Sequence, residues 1–509
     1  MKLGAQDEVF HLFLEEYMNG FNLEKYITMQ SEKILERIDK SGEKLYLEFG
    51  GKLFDDYHAE RVLPGFRYDT KIKLLQTLKD KSEIVLCIST KDIEKNKIRA
   101  DYGITYSKDI LRLIDEFTKL KLNINSVVIT QYQKEPAAQI FKNILETAGI
   151  KAYLHSFIDG YPTDIELLTS DLGYGANEYI TTTKPLVVVT APGPGSGKLA
   201  TCMSQLYHEH KRGMPAEYAK FETFPVWNLP LKHPVNVAYE AATADLGDVN
   251  MIDPFHLEAY GEIAVNYNRD IEVFPVVRNI LQTITGKDTY KSPTDMGVNM
   301  VGFCIEDDGI VCEAAKQEVI RRYYNALCDN KKGIASDRVV QREQLLMNDL
   351  EITPMDRDVV EPALKKSEEA GCPAVAIKLH SGEIITGRTT DIMTAGAGAV
   401  LNAIKQIANL ADPVLLIDET ILKPIQDLKR MLLKDEDVLL DTNDVLLALS
   451  VCAVTNPEAN LALSKLQELR DVQAHSTYMF TDGEEGMYRN LKIGITSEPN
   501  LISNRLYVK

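Results

Sequence analysis

A chain of 509 residues exceeds what a single hydrophobic core usually organises, so the sequence predicts two or three domains. Its formal net charge of −18 opposes the positive field that nucleic acid or anionic lipid requires, and we expect neither partner. Its 7 cysteines are scattered without a CxxC spacing, which indicates a reducing compartment and no zinc.

Residues 1–17, MKLGAQDEVFHLFLEEY, carry acidic side chains among the apolar ones. The apolar core of a secretory signal excludes such charges. No apolar stretch of the sequence reaches the ~18 residues that a membrane-spanning helix needs. We therefore expect a soluble cytoplasmic protein, and for an enzyme of this size a homo-oligomer.

Short apolar runs alternate with amphipathic helices from residue 45 onward, which predicts an α/β domain with a doubly wound, mostly parallel sheet. Predicted helices include 108–119 and 135–148. Ligands of such sheets bind beyond the carboxyl ends of the strands, where the glycine-rich loops after Phe49 and Ala191 fall. The predicted strands are KLYLEF (44–49), EIVLCI (83–88), SVVITQY (126–132), KAYLHSF (151–157) and LVVVTA (186–191).

Residues 184–204, KPLVVVTAPGPGSGKLATCMS, follow the order of a phosphate-binding P-loop: a strand, a loop ending in Gly-Lys, and a helix. Pro192 replaces the leading glycine of that motif, and Leu199 replaces the Ser/Thr that holds magnesium. The alternative is a strand-to-helix turn that needs glycine only for positive φ. The residues expected to contact a nucleotide here are Gly193, Gly195, Ser196, Gly197, Lys198 and Thr201.

Magnesium must be held by carboxylates from elsewhere if position 199 has no hydroxyl. The stretches 220–228, 243–261 and 265–275 supply acids and set them among apolar and aromatic residues, where an unpaired carboxylate is costly to bury. The alternative is a solvated charged face. The predicted magnesium ligands are Asp245, Asp253, Asp270 and Glu272, with Asp248 and Glu258 as further acids. The predicted catalytic residues are Lys198, His256, Arg269 and Asp270, with His256 as a general base or positioning group.

The order of these motifs resembles the amidoligase branch of P-loop enzymes, CTP synthase and dethiobiotin synthetase. The resemblance covers residues 184–285 and includes the stretches MIDPF (251–255) and NRDIEVF (268–274). It implies that Lys198 binds phosphate and that Asp270 binds the metal.

A longer resemblance spans nearly the whole chain and is to a bacterial family of about this length, described only as a domain of unknown function. It implies no activity. The segments that carry it are EFGGKLFDDYHAERVLPGF (48–66), NKIRADYGITY (96–106), APGPGSGK (191–198), YAKFETFPVWNLPLKHPVN (218–236), DVNMIDPFHLEAYG (248–261), SPTDMGVNM (292–300) and AHST (474–477).

A second glycine-rich loop lies in FGGKLFDDYHAER (49–61), directly after a predicted strand. It resembles the opening strand and glycine pair of amino-acid kinases, which implies that Gly51 and Lys52 contact a phosphate or substrate. The alternative is a glycine turn before a polar helix face.

The sequence predicts three sections: a Rossmann-like P-loop domain (1–285), a helical section (286–355) and a C-terminal α/β domain (356–509). Within the first, residues 214–280 show little periodicity. The helical section is predicted to hold helices over 313–329 and 339–352.

The third section begins with a predicted β-hairpin (373–390), followed by a glycine/alanine-rich helix (394–410) and a strand (413–418). This order resembles the cytidine-deaminase fold. AGAGA (395–399) and ILKPI (421–425) stand where zinc deaminases carry their ligands, which implies a deaminase-like domain without zinc.

These patterns together predict an ATP- or other NTP-dependent, magnesium-dependent ligase or kinase that acts on a small molecule. Two alternatives stay open. One is a nucleotide-binding regulatory or assembly protein with little turnover, and the other is a phosphosugar- or anion-binding enzyme that uses no nucleotide.

Overall fold

The computed structural model describes residues 19–42, 44–51, 53–54, 56–99, 103–434 and 437–501. The chain divides into two compact units at residues 315 and 316. That point lies inside the helix Asp308–Lys331, and the division into three sections at 285 and 355 stays a prediction. Among the described residues, no helix is both long enough and apolar enough to cross a bilayer.

The described elements of the first unit alternate strands and helices. Its strands are β1 Lys44–Phe49, β2 Ser82–Ser89, β3 Ile98–Arg99, β4 Ile104–Thr105, β5 Ile124–Tyr132, β6 Ala152–Ser156, β7 Leu186–Thr190, β8 Ala216–Phe221, β9 Asn250–Ile252, β10 Val265–Tyr267 and β11 Gly297–Val298. Its helices are α1 Leu23–Ser41, α2 Tyr57–Val62, α3 Thr70–Thr77, α4 Thr90–Glu94, α5 Tyr106–Lys119, α6 Pro136–Thr147, α7 Ile165–Leu168, α8 Lys198–Lys211, α9 Pro234–Ala242, α10 Pro254–Tyr260, α11 Asn268–Thr285, α12 Pro293–Met296 and the start of α13 Asp308–Lys331.

Seven of these strands form one sheet in the order β11-β8-β1-β7-β2-β5-β6, and every neighbouring pair in it is parallel. Leu45 and Leu47 of β1 enter the core on one face, and Tyr46 enters the core on the other. Strands covered on both faces read as continuous apolar runs, which is why five of them were predictable from sequence. The α/β class with a parallel sheet is confirmed.

The segment 214–280 is more regular than its sequence indicates, since it forms β8, α9, β9, α10, β10 and α11. β8 has the sequence AEYAKF and pairs with β1 over its whole length, from Ala216 to Phe221. It contains no β-branched residue and places charged Glu217 and Lys220 in a strand, so its pattern does not predict one. The expectation of an irregular segment was wrong for this reason.

The carboxyl ends of β1, β7 and β8 are neighbours, because these strands are parallel and adjacent. The register pairs Glu48 of β1 with Val189 of β7 on one side and with Lys220 of β8 on the other. The two glycine-rich loops after β1 and β7 therefore leave the sheet side by side, at the edge where ligands of such sheets bind.

The second unit contains a four-stranded sheet in the order β13-β12-β14-β15, in which β12 is antiparallel to both neighbours and β14 is parallel to β15. Its strands are β12 Ala374–Lys378, β13 Ile384–Arg388, β14 Gln473–Ser476 and β15 Gly494–Ser497. Its helices, after the end of α13, are α14 Asp337–Asp349, α15 Val360–Ala370, α16 Ala395–Ile407, α17 Glu419–Leu433, α18 Thr442–Cys452, α19 Pro457–Ser464 and α20 Asp482–Asn490.

The predicted hairpin is confirmed as β12 and β13, but residues 413–418, all of them described, form no strand. Leu415 in this run is 71% exposed, and Asp418 caps the start of α17. The place beside β12 belongs instead to β14. A short apolar run does not by itself distinguish a strand from a connecting segment, which explains the wrong prediction.

Candidate functional site

Residues 191–197 connect β7 to α8 and are named the 191–197 loop here. Gly195 and Gly197 take positive φ values of 75° and 81°, a region that favours glycine. A Cβ atom on Gly197 would lie 2.7 Å from Oγ1 of Thr130 on β5. Gly197 is thus required both by its backbone conformation and by close packing against the neighbouring strand.

The end of β5 holds the carbonyl groups of this loop. Thr130 Oγ1 donates to the Ser196 carbonyl at 2.9 Å, and Gln131 Nε2 donates to the Gly195 carbonyl at 3.2 Å. In a trans peptide the N–H of the next residue points opposite to the carbonyl. The N–H groups of Ser196 and Gly197 therefore point away from β5.

The backbone N–H groups of Gly193 and of residues 195–199 donate no hydrogen bond to any described part of the chain. Some unpaired amides are ordinary in the first turn of a helix, but here the loop before α8 adds further amides that have no acceptor. The positive end of the α8 dipole lies at the same place. Six amide donors at a helix N-terminus are suited to bind phosphate oxygens.

Lys198 begins α8, and its side chain is partly exposed. Its ammonium forms no hydrogen bond or ion pair with the described residues. Burial raises the pKa of the nearby Cys87 thiol to about 12, an effect that Lys198 opposes and Glu48 reinforces. Lys198 and Glu48 therefore lie at the same end of the sheet, and Cys87 is not a reactive thiolate.

The other predicted nucleotide contacts have different surroundings. Thr201 is buried within α8, 3.6 Å from the Cys87 sulfur, and so lies in the core behind the loop. Gly51 follows β1 with a φ of 70°, and the adjacent Gly50 N–H donates to the Phe221 carbonyl at the end of β8. Lys52 lies outside the described residues.

Lys220 on β8 lies between two carboxylates. Its ammonium is 2.8 Å from Glu222 Oε1 and also contacts the Asp270 carboxylate and the Tyr267 hydroxyl. We call these four residues the Lys220 cluster. Asp270 is the third residue of α11, where the helix dipole favours a negative charge. The cluster thus places one ammonium group against two carboxyl groups and a phenol at the carboxyl edge of the sheet.

The charges of the Lys220 cluster are strongly coupled. Burial alone would lower the pKa of Lys220, but Asp270, Glu222 and Tyr267 raise it well above its ordinary value. Burial raises the pKa of Glu222 to about 7, although Lys220 opposes the shift. For Asp270, the Lys220 ammonium outweighs burial and the pKa is lowered. Of the two acids, Glu222 therefore exchanges its proton more readily near neutral pH.

Glu48 lies beside this cluster, on β1, the strand that pairs with β8. It is the register partner of Lys220 and accepts a 2.8 Å hydrogen bond from the Tyr218 hydroxyl. Residues two apart on a strand share a face, so Tyr218 and Lys220 project to the same side of β8. Glu48 and Lys220 therefore lie side by side on adjacent strands, and Glu48 is one of the acids that raise the pKa of Lys220.

The predicted magnesium ligands do not converge. Asp253 is buried and caps α10, accepting from the Phe255 and His256 amides and from Thr294. Asp245 and Glu272 are exposed, as is Glu258. Of these candidates, Asp270 is the one that the structure places in the Lys220 cluster.

The remaining predicted residues lie in other environments. His256 is buried on α10, where its Nδ1 is 2.9 Å from Ser292 Oγ and its ring contacts Trp227 and Tyr260. Arg269 pairs with the buried Asp248 at 2.9 Å, beside the Lys220 cluster. His256 therefore makes its contacts with residues other than those of the loop or the cluster.

Glu48 and Lys220 were not predicted as site residues, and Glu222 was not named although it lies in the predicted stretch 220–228. The signal for Glu48 was present, since it is the one acid in the apolar run KLYLEF. Lys220 and Glu222 alternate in AKFE, which marks one face of a strand, but the strand itself was not predicted. Their importance follows only from the pairing of β8 with β1.

Two family models match this chain. The model "Domain of unknown function DUF1846, N-terminal" matches residues 19–351, and its C-terminal counterpart matches residues 355–507. The chain belongs to the DUF1846 family. The whole-chain resemblance predicted from the quoted segments is thereby confirmed.

Close relatives are found in clostridia. The chain is 54% identical to a "UPF0371 protein" of Clostridium botulinum (strain Alaska E43 / Type E3) and 55% identical to that of Clostridium botulinum (strain Kyoto / Type A2). It is 54% identical to the "UPF0371 protein" of Clostridium tetani (strain Massachusetts / E88). Each match covers 96% of this chain and 99% of the relative, so they share one domain organisation throughout.

Proposed function

We propose that this protein binds the phosphates of a nucleoside triphosphate at the 191–197 loop and transfers a phosphoryl group to a small molecule, as a magnesium-dependent ligase or kinase. One observation carries the proposal: the amides of Gly193 and residues 195–199 have no acceptor among the described residues, and neither does the Lys198 ammonium. This donor set suits a chain of phosphate oxygens.

Charge stabilisation accounts for the chemistry in this proposal. The transferred phosphoryl group spreads its charge over three oxygens, and fixed amides with an ammonium stabilise that charge without rearranging. Both lie at the start of α8. Lys198 is therefore the residue whose loss reduces binding and transfer together.

Asp270 is the carboxylate that would hold magnesium. Magnesium commonly uses one or two carboxylates and completes its shell with phosphate oxygens and water, so one carboxylate is sufficient. Asp270 pairs with Lys220, so the ion would compete with an ammonium group. When bound, magnesium supplies positive charge next to the phosphates.

Glu222 is the group proposed to accept a proton from the acceptor molecule. A general base works best with a pKa near the operating pH, and the pKa of Glu222 is about 7. Glu222 lies immediately after β8, which is the strand that neighbours β1. The acceptor would then bind between the 191–197 loop and the start of α11.

A second candidate is the binding of a phosphorylated small molecule without nucleotide turnover. Two observations favour it: Leu199 offers no metal-binding hydroxyl, and Asp270 is already paired with Lys220. A phosphate group alone would be satisfied by the loop amides and Lys198.

Calorimetric titration separates the two candidates. Wild type, Lys198→Ala and Asp270→Ala would be titrated with ATP, GTP and CTP in the presence of magnesium, and with inorganic phosphate. Lys211→Ala is the matched control, because Lys211 is an exposed lysine at the other end of α8.

Nucleotide binding that Lys198→Ala weakens and Lys211→Ala preserves would support the first candidate. If wild type forms nucleoside diphosphate when small carboxylic acids or alcohols are added, and Asp270→Ala binds nucleotide but does not, phosphoryl transfer is supported. Binding of phosphate without nucleotide favours the second candidate. No binding of either, or equal binding by Lys198→Ala, would refute both.

A further inference from the structure

Three side chains with metal-binding atoms meet at the start of α13, apart from the Lys220 cluster. His233 Nε2 is 2.9 Å from Asp308 Oδ1 and 3.5 Å from Cys312 Sγ. Cys312 Sγ is 3.7 Å from Asp308 Oδ2. One ligand atom from each residue lies within 4.8 Å of the other two, and all three residues belong to the first unit.

Two of these separations are close to the edges of a metal tetrahedron. Zinc binds sulfur at about 2.3 Å and nitrogen or oxygen at about 2.0 Å, which makes the edges of its tetrahedron about 3.3 to 3.5 Å. The separation of 3.5 Å from Cys312 Sγ to His233 Nε2 and that of 3.7 Å from Cys312 Sγ to Asp308 Oδ2 are close to these values. The 2.9 Å separation from His233 Nε2 is to the other oxygen of Asp308, Oδ1, so binding through one oxygen requires a small rotation of the exposed carboxylate.

We propose that His233, Asp308 and Cys312 bind a zinc ion and leave one coordination position to water. A thiolate and an imidazole are ligands that favour zinc over magnesium, calcium or manganese. The Asp308 side chain is 67% exposed while that of His233 is 8% exposed, so the ion has access from solvent to a nitrogen that is held in place.

Local structure fixes two of the three ligands relative to each other. Asp308 and Cys312 are four residues apart on α13, so they project from the same face one turn apart. His233 precedes α9 as its N-cap, and its ring is buried. The ligands thus come from two helix starts that are far apart in the sequence, which is why cysteine spacing alone led to the expectation of no zinc.

The hydrogen bond made by Nδ1 of His233 should limit the affinity of this site for zinc. Nδ1 accepts a 3.2 Å hydrogen bond from the Val235 N–H, which places the proton of the neutral ring on Nε2. A zinc ion at Nε2 replaces that proton and moves the ring proton to Nδ1, so the Val235 bond is lost. We therefore expect weaker binding than at a structural site with four protein ligands.

Metal titration of the full chain tests the proposal. Protein stripped with a chelator and then freed of it would be titrated with zinc against a chromophoric competitor, and with cobalt to detect the near-ultraviolet band of a cobalt–thiolate bond. The variants are Cys312→Ser and Asp308→Asn, and Cys372→Ser is the control for another partly buried cysteine.

The expected result is one zinc per chain, with affinity reduced at least about tenfold in Cys312→Ser and in Asp308→Asn and unchanged in Cys372→Ser. The cobalt–thiolate band should vanish in Cys312→Ser alone of the two cysteine variants. Because Asp308 is largely exposed, Asp308→Asn should fold as the wild type does, which circular dichroism verifies. Zinc binding weaker than about 10 μM, or equal in wild type and Cys312→Ser, would overturn the proposal.

Discussion

Two glycine-rich segments open a helix in this protein, and they differ in what faces the helix start. At α8 in the first unit, the amides of residues 195–199 have no acceptor among the described residues. At α16 in the second unit, the chain supplies a carboxyl group of its own. The buried Glu484 carboxylate accepts from the Thr394 and Thr442 hydroxyls at the starts of α16 and α18.

The difference shows that glycine at a helix start is not sufficient evidence for a ligand. A helix N-terminus favours negative charge whether a ligand or a side chain provides it. A Cβ on Gly396 would lie 2.6 Å from Glu484 Oε1, so glycine here makes room for a side chain of the protein. A Cβ on Gly195 would meet nothing within 4 Å, so the space beside that amide is open.

Removal of the internal carboxylate should produce the largest effect on stability. Glu484→Ala leaves a cavity and removes the acceptor of the Thr394, Thr442 and Tyr478 hydroxyls, so we expect the free energy of unfolding to fall by about 3 kcal/mol. Denaturant titration measures it. Glu485→Ala is the control, because Glu485 makes a surface ion pair with Arg489 worth about 0.5 kcal/mol. Equal losses in both variants would contradict the assigned role of Glu484.

Replacement of Gly197 by alanine should have the next largest effect on stability. Gly197→Ala faces an unfavourable positive φ and overlaps Thr130, and we expect a loss of about 2 kcal/mol together with weaker triphosphate binding. Gly213→Ala is the matched control at the end of the same helix, with a φ of 73° and open space around it, and should cost about 1 kcal/mol. If the two variants are equally stable, packing against β5 does not shape the loop.

The parts of this fold that could be predicted from sequence are those fixed by local patterns. Buried parallel strands such as β2 read as apolar runs, and the Gly-Lys turn marks the start of α8. The Lys220 cluster could not be predicted, because Lys220 and Asp270 meet only when β8 pairs with β1 and α11 begins above that edge. The contacts of Glu484 could not be predicted either, since Glu484 and Thr394 are 90 positions apart in the sequence.

The charge of Glu484 should make stability depend on pH. Burial raises the pKa of this carboxyl above its ordinary value of 4.5, so the folded state binds more protons than the unfolded state. The stability from this group is present at low pH and is lost as the pH rises above that value. Glu484→Gln keeps the shape without the charge, so its stability relative to wild type should increase as the pH rises above 4.5. Denaturant titrations below and above that pH would contradict the prediction if the difference were constant or reversed.

The smallest effect is expected for a variant of β5, the strand that hydrogen-bonds the 191–197 loop. Gln131→Ala removes one hydrogen bond to the Gly195 carbonyl, so we expect triphosphate affinity to fall about two- to fivefold in calorimetry. Gln139→Ala, an exposed glutamine on α6, is the control. An unchanged affinity in Gln131→Ala would mean that the carbonyl orientation does not depend on this contact.

Amide hydrogen exchange with and without ATP and magnesium observes the proposed phosphate-binding donors themselves. We expect slower exchange in a peptide that covers residues 193–200 when nucleotide is present, and no change in a peptide that covers residues 394–400. We also expect Lys198→Ala to abolish this protection at the same nucleotide concentration. Unchanged exchange of residues 193–200 at saturating nucleotide, or equal protection of both peptides, would contradict the proposed phosphate binding.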